Sequence, residues 1–364
     1  MEKLLESADI KVNGSRPWDI QVHNNGLFHR VARAGSLGLG EAYVDGWWDA
    51  AALDETFHRA LRADLDAKIG FSWAVVWSYL KAVLLNLQSP VRSFEVGRHH
   101  YDIGNDVYRA MLDGRLTYTC GYWHDATTLE QAQEAKLELV CKKIGLKAGD
   151  TVLDIGCGWG SFAQFAAQKY GAIVTGVTVS KEQIALGKQR CAGLPVDLRF
   201  EDYRNITGTF DHIVSLGMFE HVGVKNYGEY MRTVAEHLND GGLFLLHTIG
   251  GNRSVRTTDP WIGTYIFPNS MLPSAAQIVD ASEEIFVLED WHSFGADYDR
   301  TLMAWHQNFV DHWDQLKGTY DERFYRMWTY YLLSCAGSFR ARRNQLWQIV
   351  FSKHGVPGGY ASSR

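Results

Sequence analysis

Apolar residues follow one rhythm in the first part of the chain and another after about His99. Residues 1–85 read as a small, mainly helical region. Within it, Gly35-Ser36-Leu37-Gly38-Leu39-Gly40 reads as a glycine-punctuated turn, followed by a mixed aromatic and acidic segment from Glu41 to Trp48. The strongly apolar run from Phe71 to Leu80, continued by Val83-Leu84-Leu85, reads as a buried helix of this region or, alternatively, as an interfacial or an inter-domain helix. Ser89-Pro90 and the charges after it read as a linker over 86–98. Downstream, short apolar runs at Thr151–Ile155, Ile173–Thr178, Asp197–Phe200, Phe210–Ser215 and Gly242–Thr248 read as strands. Helical stretches lie between most of them, at Ser161–Tyr170, Lys181–Cys191 and Tyr227–Leu238. Strands alternating with helices predict an α/β domain over 99–364, with a mainly parallel sheet and helices on both faces. The C-terminal part adds candidate strands Phe286–Trp291 and Trp347–Phe351, with helices Leu302–Leu316 and Asp321–Phe339 between them.

Composition narrows the function. At 364 residues and 46% hydrophobic, the chain can form two domains, or one large domain with an appendage. A net charge of -6 argues against a nucleic-acid partner held by a global basic field, and leaves room for a local basic patch toward anionic lipid. Arg340, Arg342 and Arg343 form such a cluster, with a solvated helix end as the plainer reading. The five cysteines are scattered, with no Cys-x-x-Cys pair and no zinc spacing, which fits a reducing compartment. The first residues lack an apolar core of signal-peptide length, and no run of about 18 apolar residues predicts a transmembrane helix. The expectation is a cytoplasmic protein that meets any lipid substrate from the side, as a peripheral protein on the inner face of the membrane.

The most informative segment is Val152-Leu153-Asp154-Ile155-Gly156-Cys157-Gly158-Trp159-Gly160. An apolar strand carrying a carboxylate opens into a glycine-rich turn before a helix, which brings backbone close to a ligand at the carboxyl end of the sheet. A dinucleotide fingerprint would put its third glycine where Ser161 stands, whereas this chain has Gly160. That spacing resembles the S-adenosylmethionine motif of class I methyltransferases, which implies a Rossmann-like fold. Most of those enzymes carry an acidic residue at the end of the second strand, where this chain has Thr178. Ser180 and Gln183 fit a capping box at the next helix. After the third strand, Asp202 and Tyr203 are a carboxylate and an aromatic that could hold adenine, Asp202 being also a common turn residue.

Several segments together resemble the cyclopropane fatty acid synthases of the bacterial phospholipid type. They are His99–Asp106, Leu116–Trp123, Gly217–Gly223, Leu245–Gly250, Tyr265–Asn269 and Phe294–Tyr298, with Gly35–Gly40 and Asp45–Trp48 in the N-terminal region. That region distinguishes the chain from the mycolic-acid synthases, which resemble it only from about His99 onward. The resemblance implies methyl transfer from S-adenosylmethionine to the double bond of unsaturated acyl chains in bilayer phospholipids, then ring closure. It also implies bicarbonate as the base, a homodimer, and an N-terminal domain that helps in lipid docking and dimerisation. A Cys/Glu/His/Tyr set could also hold a metal, but the mixture matches neither hard-oxygen nor sulfur-rich coordination, so no metal is expected. The matching base-site residues are Cys120, Glu220, His247, Tyr298 and the amide of Ile249, with Glu220 accepting from the bicarbonate O–H and the others lining or donating. The implied cofactor contacts are Tyr118, Thr119, Gly156, Gly158, Thr178, Gln183, Asp202 and Tyr203, beside Asp154 and Gly160 of the glycine-rich segment. Phe219, Tyr265 and Phe267 are candidate rings for facing a carbocation.

Each side chain also has a plainer role open to it. Glu220 could cap a helix or pair with a cation, His247 could be a satisfied core histidine, and Cys120 could be packing. Two other functions remain: quenching the same carbocation to a methyl-branched or hydroxylated chain, and binding lipid and cofactor without turnover.

Overall fold

The computed structural model describes residues 2–68 and 104–364. The apolar run Phe71–Leu80, the linker at Ser89-Pro90 and the first part of the His99–Asp106 segment lie outside the described residues.

The N-terminal region holds helices α1 (Glu2–Glu6), α2 (Leu27–Val44), α3 (Leu53–Arg62) and α4 (Leu65–Lys68), with the short antiparallel pair β1 (Gln21–Val22) and β2 (Trp48–Asp49). Gly35–Gly40, expected to be a turn, lies inside α2. Only Gly35 leaves helical geometry, at φ 58° and ψ -133°, and the helix kinks there and continues. The φ is one that glycine adopts without penalty. The helix persists because Leu27, Val31, Tyr43 and Val44 are buried.

The larger part begins with α5 (Asn105–Met111) and α6 (Leu129–Lys143), which opens on a reciprocal capping box between Thr128 and Gln131. Strands β3 (Thr151–Ile155), β4 (Ile173–Thr178), β5 (Val196–Phe200), β6 (Phe210–Leu216) and β7 (Leu238–Gly251) are joined by α7 (Ser161–Tyr170), α8 (Lys181–Arg190) and α9 (Tyr227–His237). Beyond them lie α10 (Pro260–Tyr265), α11 (Ala275–Ser282), β8 (Val287–Ser293), α12 (Ala296–Asp311), α13 (Trp313–Leu316), α14 (Glu322–Arg340) and β9 (Asn344–Ser352). The described residues form a seven-stranded sheet in the order β5-β4-β3-β6-β7-β9-β8, parallel from β5 to β7, with β9 antiparallel to both its neighbours. The chain runs outward from β3 through β4 and β5, then returns to start β6 on the other side of β3. That reversal is the topological switch point, and the glycine-rich turn sits on it.

The N-terminal helices share one hydrophobic core with the C-terminal helices. Leu27, Val31, Trp48 and Leu53 belong to the same buried cluster as Trp261, Trp305, Trp328 and Tyr330. Gly337 of α14 approaches α3 so closely that an added Cβ would lie 2.4 Å from the Asp54 carbonyl oxygen. The Arg340–Arg343 cluster serves this junction. Arg340 pairs with Asp54, Glu55 and Asp299, Arg343 pairs with Asp64 and Asp66, and Arg342 donates to Gln345. These guanidiniums fasten the N-terminal helices to α14 and its surroundings, so Arg340 and Arg343 are engaged within the chain and do not form an open patch.

Candidate active site

The carboxyl ends of β3, β6 and β7 open into a cavity of about 830 Å³, walled on its far side by N-terminal residues such as Leu27, Phe28, Val31 and Phe57. Of the expected cofactor residues, Tyr118, Thr119, Asp154, Gly156, Gly158 and Gln183 line it. Gly156 turns at φ 84° and leaves no room for a side chain, since a Cβ would sit 2.6 Å from that of Met218. Gly160 is absent from the cavity wall and packs behind it. Its φ is 78°, and a Cβ there would press on Cys191 and Leu198, so it lets α7 pack against the sheet.

Thr178, Asp202 and Tyr203 do not line this cavity; they sit at and just beyond the carboxyl ends of β4 and β5. Thr178 donates to Gln183 Oε1 at 3.0 Å, which orients the Gln183 amide. Ser180 accepts from the Gln183 backbone, but the Gln183 side chain is taken by Thr178, so half of the expected capping box is present. Asp202 accepts from the Arg204 backbone and pairs with its guanidinium at 3.2 Å, while the Tyr203 ring packs edge-on to Tyr230.

The base-site candidates divide as sharply. Glu220, His247, Ile249 and Tyr298 line the cavity. Glu220 is 6% exposed, its Oε1 accepts from the Ile249 amide at 2.6 Å, and its Oε2 has no partner among the described residues. Burial pushes its carboxyl up to about 7 against the pull of that amide. Among the described residues it neither caps a helix through its side chain nor pairs with a cation. The Ile249 amide, expected to face bicarbonate, donates to Glu220 instead. His247 is 1% exposed, and burial followed by the charges of Lys136 and Lys143 holds it neutral. Gln348 Nε2 lies 3.3 Å from His247 Nδ1. With the Gln348 amide in this orientation its nitrogen donates, Nδ1 accepts, and the imidazole proton belongs on Nε2, which is buried with no partner among the described residues. The Glu220 carboxylate and the His247 imidazole, both on the cavity wall, thus offer one acceptor and one donor. Burial keeps the Tyr298 phenol protonated.

Cys120 does not join them. It is fully buried and absent from the cavity wall, and its thiol faces the Gly121 carbonyl and Thr301 Oγ1. Of the three candidate rings, Phe267 alone lines the cavity. Phe219 is stacked on Tyr227 with centroids 4.1 Å apart, and Tyr265 reaches outward to Glu41.

The profile of the mycolic acid cyclopropane synthetase family matches residues 88–349. The chain belongs to that family. It is an S-adenosylmethionine-dependent methyltransferase. The cyclopropane-fatty-acyl-phospholipid synthase of Escherichia coli K12 is 51% identical over 362 residues, covering 100% of this chain and 94% of that protein. Two solved structures, the cyclopropane synthase MmaA2 from Mycobacterium tuberculosis and the mycolic acid cyclopropane synthase CmaA1 complexed with SAH and CTAB, are each 31% identical. Each aligns with a TM-score of 0.67, over 71% of this chain and 98% of the solved one. The E. coli relative therefore aligns through the N-terminal region, as the resemblance anticipated, while the two synthase structures leave over a quarter of this chain unmatched.

Two residues of the site escaped the sequence reading. Gln348 fixes the His247 tautomer from the next strand, directly opposite in register. Its signal is a polar residue inside the apolar run Leu346–Phe351. Lys136 lies on the cavity wall, wholly buried, on the same face of α6 as Ala132, Leu139 and Val140. A charge on the apolar face of an amphipathic helix is the signal that would have found it.

Proposed function

We propose that this chain builds cyclopropane rings on cis double bonds of unsaturated acyl chains in membrane phospholipids. The observation that carries the reading is the pairing of an unpartnered Glu220 Oε2 with an unpartnered His247 Nε2 in one largely apolar cavity that also holds the glycine-rich turn. Buried polar atoms normally find partners, so two such atoms on residues lining one cavity mark a place for a small polar guest. The names of the E. coli relative and of the two solved synthases support the same chemistry.

S-adenosylmethionine supplies an electrophilic methyl group on a sulfonium. The methyl–sulfur bond breaks as the alkene π pair forms a new carbon–carbon bond, leaving a cation on the adjacent lipid carbon. A proton then leaves the new methyl group, and its electron pair closes the ring. The chain's residues have three tasks in this. Tyr118, Thr119, Asp154, Gly156, Gly158 and Gln183 position the methyl donor, with Thr178, Asp202 and Tyr203 at the neighbouring strand ends for its nucleoside part. Phe267, Tyr118 and the apolar walls keep water from the cation and offer ring faces to it. Glu220 takes up the proton's destination, directly or through a bound bicarbonate. The donor set fits bicarbonate: Glu220 Oε2 would accept from its O–H, and His247 Nε2–H and the Tyr298 hydroxyl would donate to its other oxygens. That group would supply the proton acceptor. Cys120 and the Ile249 amide shape the site from behind.

The N-terminal region, 1–85, takes part in lipid handling on this reading, supported by its share of the cavity wall. We place the protein in the cytoplasm as a homodimer bound peripherally to the inner face of the membrane. Among the described residues no helix is long and apolar enough to cross a membrane. The test is mass analysis of acyl chains after incubating the protein with S-adenosylmethionine, bicarbonate and vesicles of monounsaturated phosphatidylglycerol. Chains heavier by one methylene and resistant to hydrogenation support the reading. A saturated methyl branch or a hydroxyl overturns ring closure, and cofactor binding with no product overturns the acceptor.

A further inference from the structure

Lys136 has no assigned task, and its surroundings are unusual for a buried ammonium. Its side chain is fully buried in α6, and its one hydrogen bond among the described residues is to Thr119 Oγ1, at 2.6 Å. Among the described residues no carboxylate lies within ion-pair distance, although Asp113 and Asp154 act on it from farther away. Burying a lysine without a close counter-charge is expensive unless a ligand supplies one. The residues around it are held firmly. Gln133, one helical turn earlier, donates to the Thr119 carbonyl at 2.8 Å, and the Tyr122 amide donates to Ala132. Thr119 is therefore fixed through its backbone by Gln133 and through its hydroxyl oxygen by Lys136.

That geometry gives the Thr119 hydroxyl a direction. Its oxygen accepts from the ammonium, so its own proton points away from Lys136. Thr119 is only half-buried and lines the cavity. The ammonium behind it polarises the O–H, making it a strengthened donor to an anion in the cavity. Across the same wall, Asp154 is 2% exposed and its Oδ2 has no partner. Burial pushes its carboxyl up to about 7 even with Lys136 favouring the charged form. The wall therefore offers an anion site backed by Lys136 and a buried carboxyl at Asp154. A zwitterion carrying both a carboxylate and an ammonium complements the pair.

We propose that Lys136 is a positioning residue that acts through the Thr119 hydroxyl to anchor the α-carboxylate of the methyl donor's amino-acid arm, with Asp154 taking its α-ammonium. The inference rests on the placement of S-adenosylmethionine at the glycine-rich turn. Anchoring the arm at its charged end fixes the sulfonium one short tether away and aims the methyl group toward the Glu220 side of the cavity.

The experiment is calorimetric titration of the full chain with two ligands, S-adenosylhomocysteine and methylthioadenosine, which shares the nucleoside and sulfur but lacks the amino-acid arm. Lys136→Met is expected to weaken S-adenosylhomocysteine on the order of tenfold to a hundredfold, the range for losing a hydrogen bond to a charged group, and to leave methylthioadenosine within about twofold. Thr119→Val, at a half-buried position, is expected to show the same selective loss, and the double variant to be no worse than the weaker single one. Equal loss of both ligands in these variants, or of neither, overturns the proposal. If Lys136→Met does not fold, Thr119→Val decides by the same criterion. Failure of the unaltered protein to bind S-adenosylhomocysteine overturns the cofactor site itself, and this inference with it.

Discussion

Two lysines on α6, Lys136 and Lys143, are buried seven residues apart, and burial lowers each to about 8. Their environments differ in one respect. Lys143 has a carboxylate, Asp290 of β8, at 3.6 Å and His292 Nδ1 at 3.1 Å. Asp290 is itself held by both guanidinium nitrogens of Arg364 at 2.7 Å and by Ser362. This cluster ties the last residues of the chain to the sheet edge and leaves neither Asp290 oxygen without a partner. Among the described residues, the cavity group of Lys136, Asp154, Glu220 and His247 has one hydroxyl partner for its lysine and three orphaned atoms, Asp154 Oδ2, Glu220 Oε2 and His247 Nε2. Burial explains the presence of ion pairs in the first cluster, and it cannot explain the orphans of the second. A fold carries unsatisfied polar groups at a cost of about 1–3 kcal/mol each, and that strain is tolerable where a ligand removes it. The first cluster is therefore a fastening and the second a receptacle.

The sharpest way to break this contrast is to alter one atom of each. Glu220→Gln keeps the shape of the receptacle and removes its charge. Turnover should fall by about a thousandfold, within the range for losing a positioned proton acceptor, while S-adenosylhomocysteine affinity measured by calorimetry stays within about twofold. Full turnover, or lost affinity in a folded variant, would show that Glu220 does not serve the base site.

Asp290→Ala should do the reverse. It leaves Lys143 buried with no carboxylate nearby, which costs about 3 kcal/mol, visible as a lower urea midpoint. Turnover per folded molecule should be unchanged. Replacing both partners, Lys143→Met with Asp290→Leu, should recover most of the loss, because a buried ion pair can be exchanged for packed apolar groups at little net cost. A fall in turnover matching the fall in stability would merge the two clusters into one.

The pH dependence should carry opposite signs at the two places. Burial raises Glu220 and Asp154 to about 7 from ordinary values of 4.5 and 3.8. Between those limits the folded chain binds more protons than the unfolded one. Their contribution to stability is complete below the ordinary values and is lost as pH rises toward 7, at roughly 1 kcal/mol per pH unit for each group. Burial also pushes Asp290 up, but Arg364 and Lys143 outweigh it and hold its carboxyl below the ordinary 3.8. Its contribution is present above 3.8 and disappears as pH falls further. Urea melts across the acid and neutral ranges should show Glu220→Gln flattening the neutral slope and Asp290→Asn flattening the acid one. Turnover, which needs ionised Glu220, should rise with pH through about 7.

Much of the contrast's framework was legible in the sequence. The strands β3, β6 and β7 are largely buried and read as apolar runs, while the edge strand β5 buries one residue of five, and observed limits match to within a few residues except at β7, which begins at Leu238 instead of Gly242. Glycines 35 to 40 misled because glycine signals permission to turn, while the burial of Leu27, Val31 and Val44 decides that α2 continues. Glu220, His247 and Asp154 stand in recognisable segments. Lys136 and Gln348 do not, since their roles come from a helix face and a strand register that bring distant residues together. The Arg340–Arg343 cluster was misread for the same reason: its acidic partners at Asp54, Glu55, Asp64 and Asp66 lie far away along the chain.

Cys120 gives the smallest and most discriminating test of where the receptacle ends. Sequence placed it with Glu220 and His247, whereas its thiol points at Gly121 and Thr301, behind the wall. Thr301 Oγ1 also accepts from the Gly121 amide and from Trp123 Nε1, so the hydroxyl holds this part of the chain without help from sulfur. Burial keeps the thiol protonated, which removes any role as a thiolate. Cys120→Ala removes one buried sulfur and should cost about 1 kcal/mol of stability, at the low end of large-to-small core changes. Turnover at saturating substrate should fall by less than about threefold, far from the thousandfold at Glu220. A fall approaching that of Glu220→Gln would place the thiol inside the reacting pocket and extend the receptacle to the segment behind it.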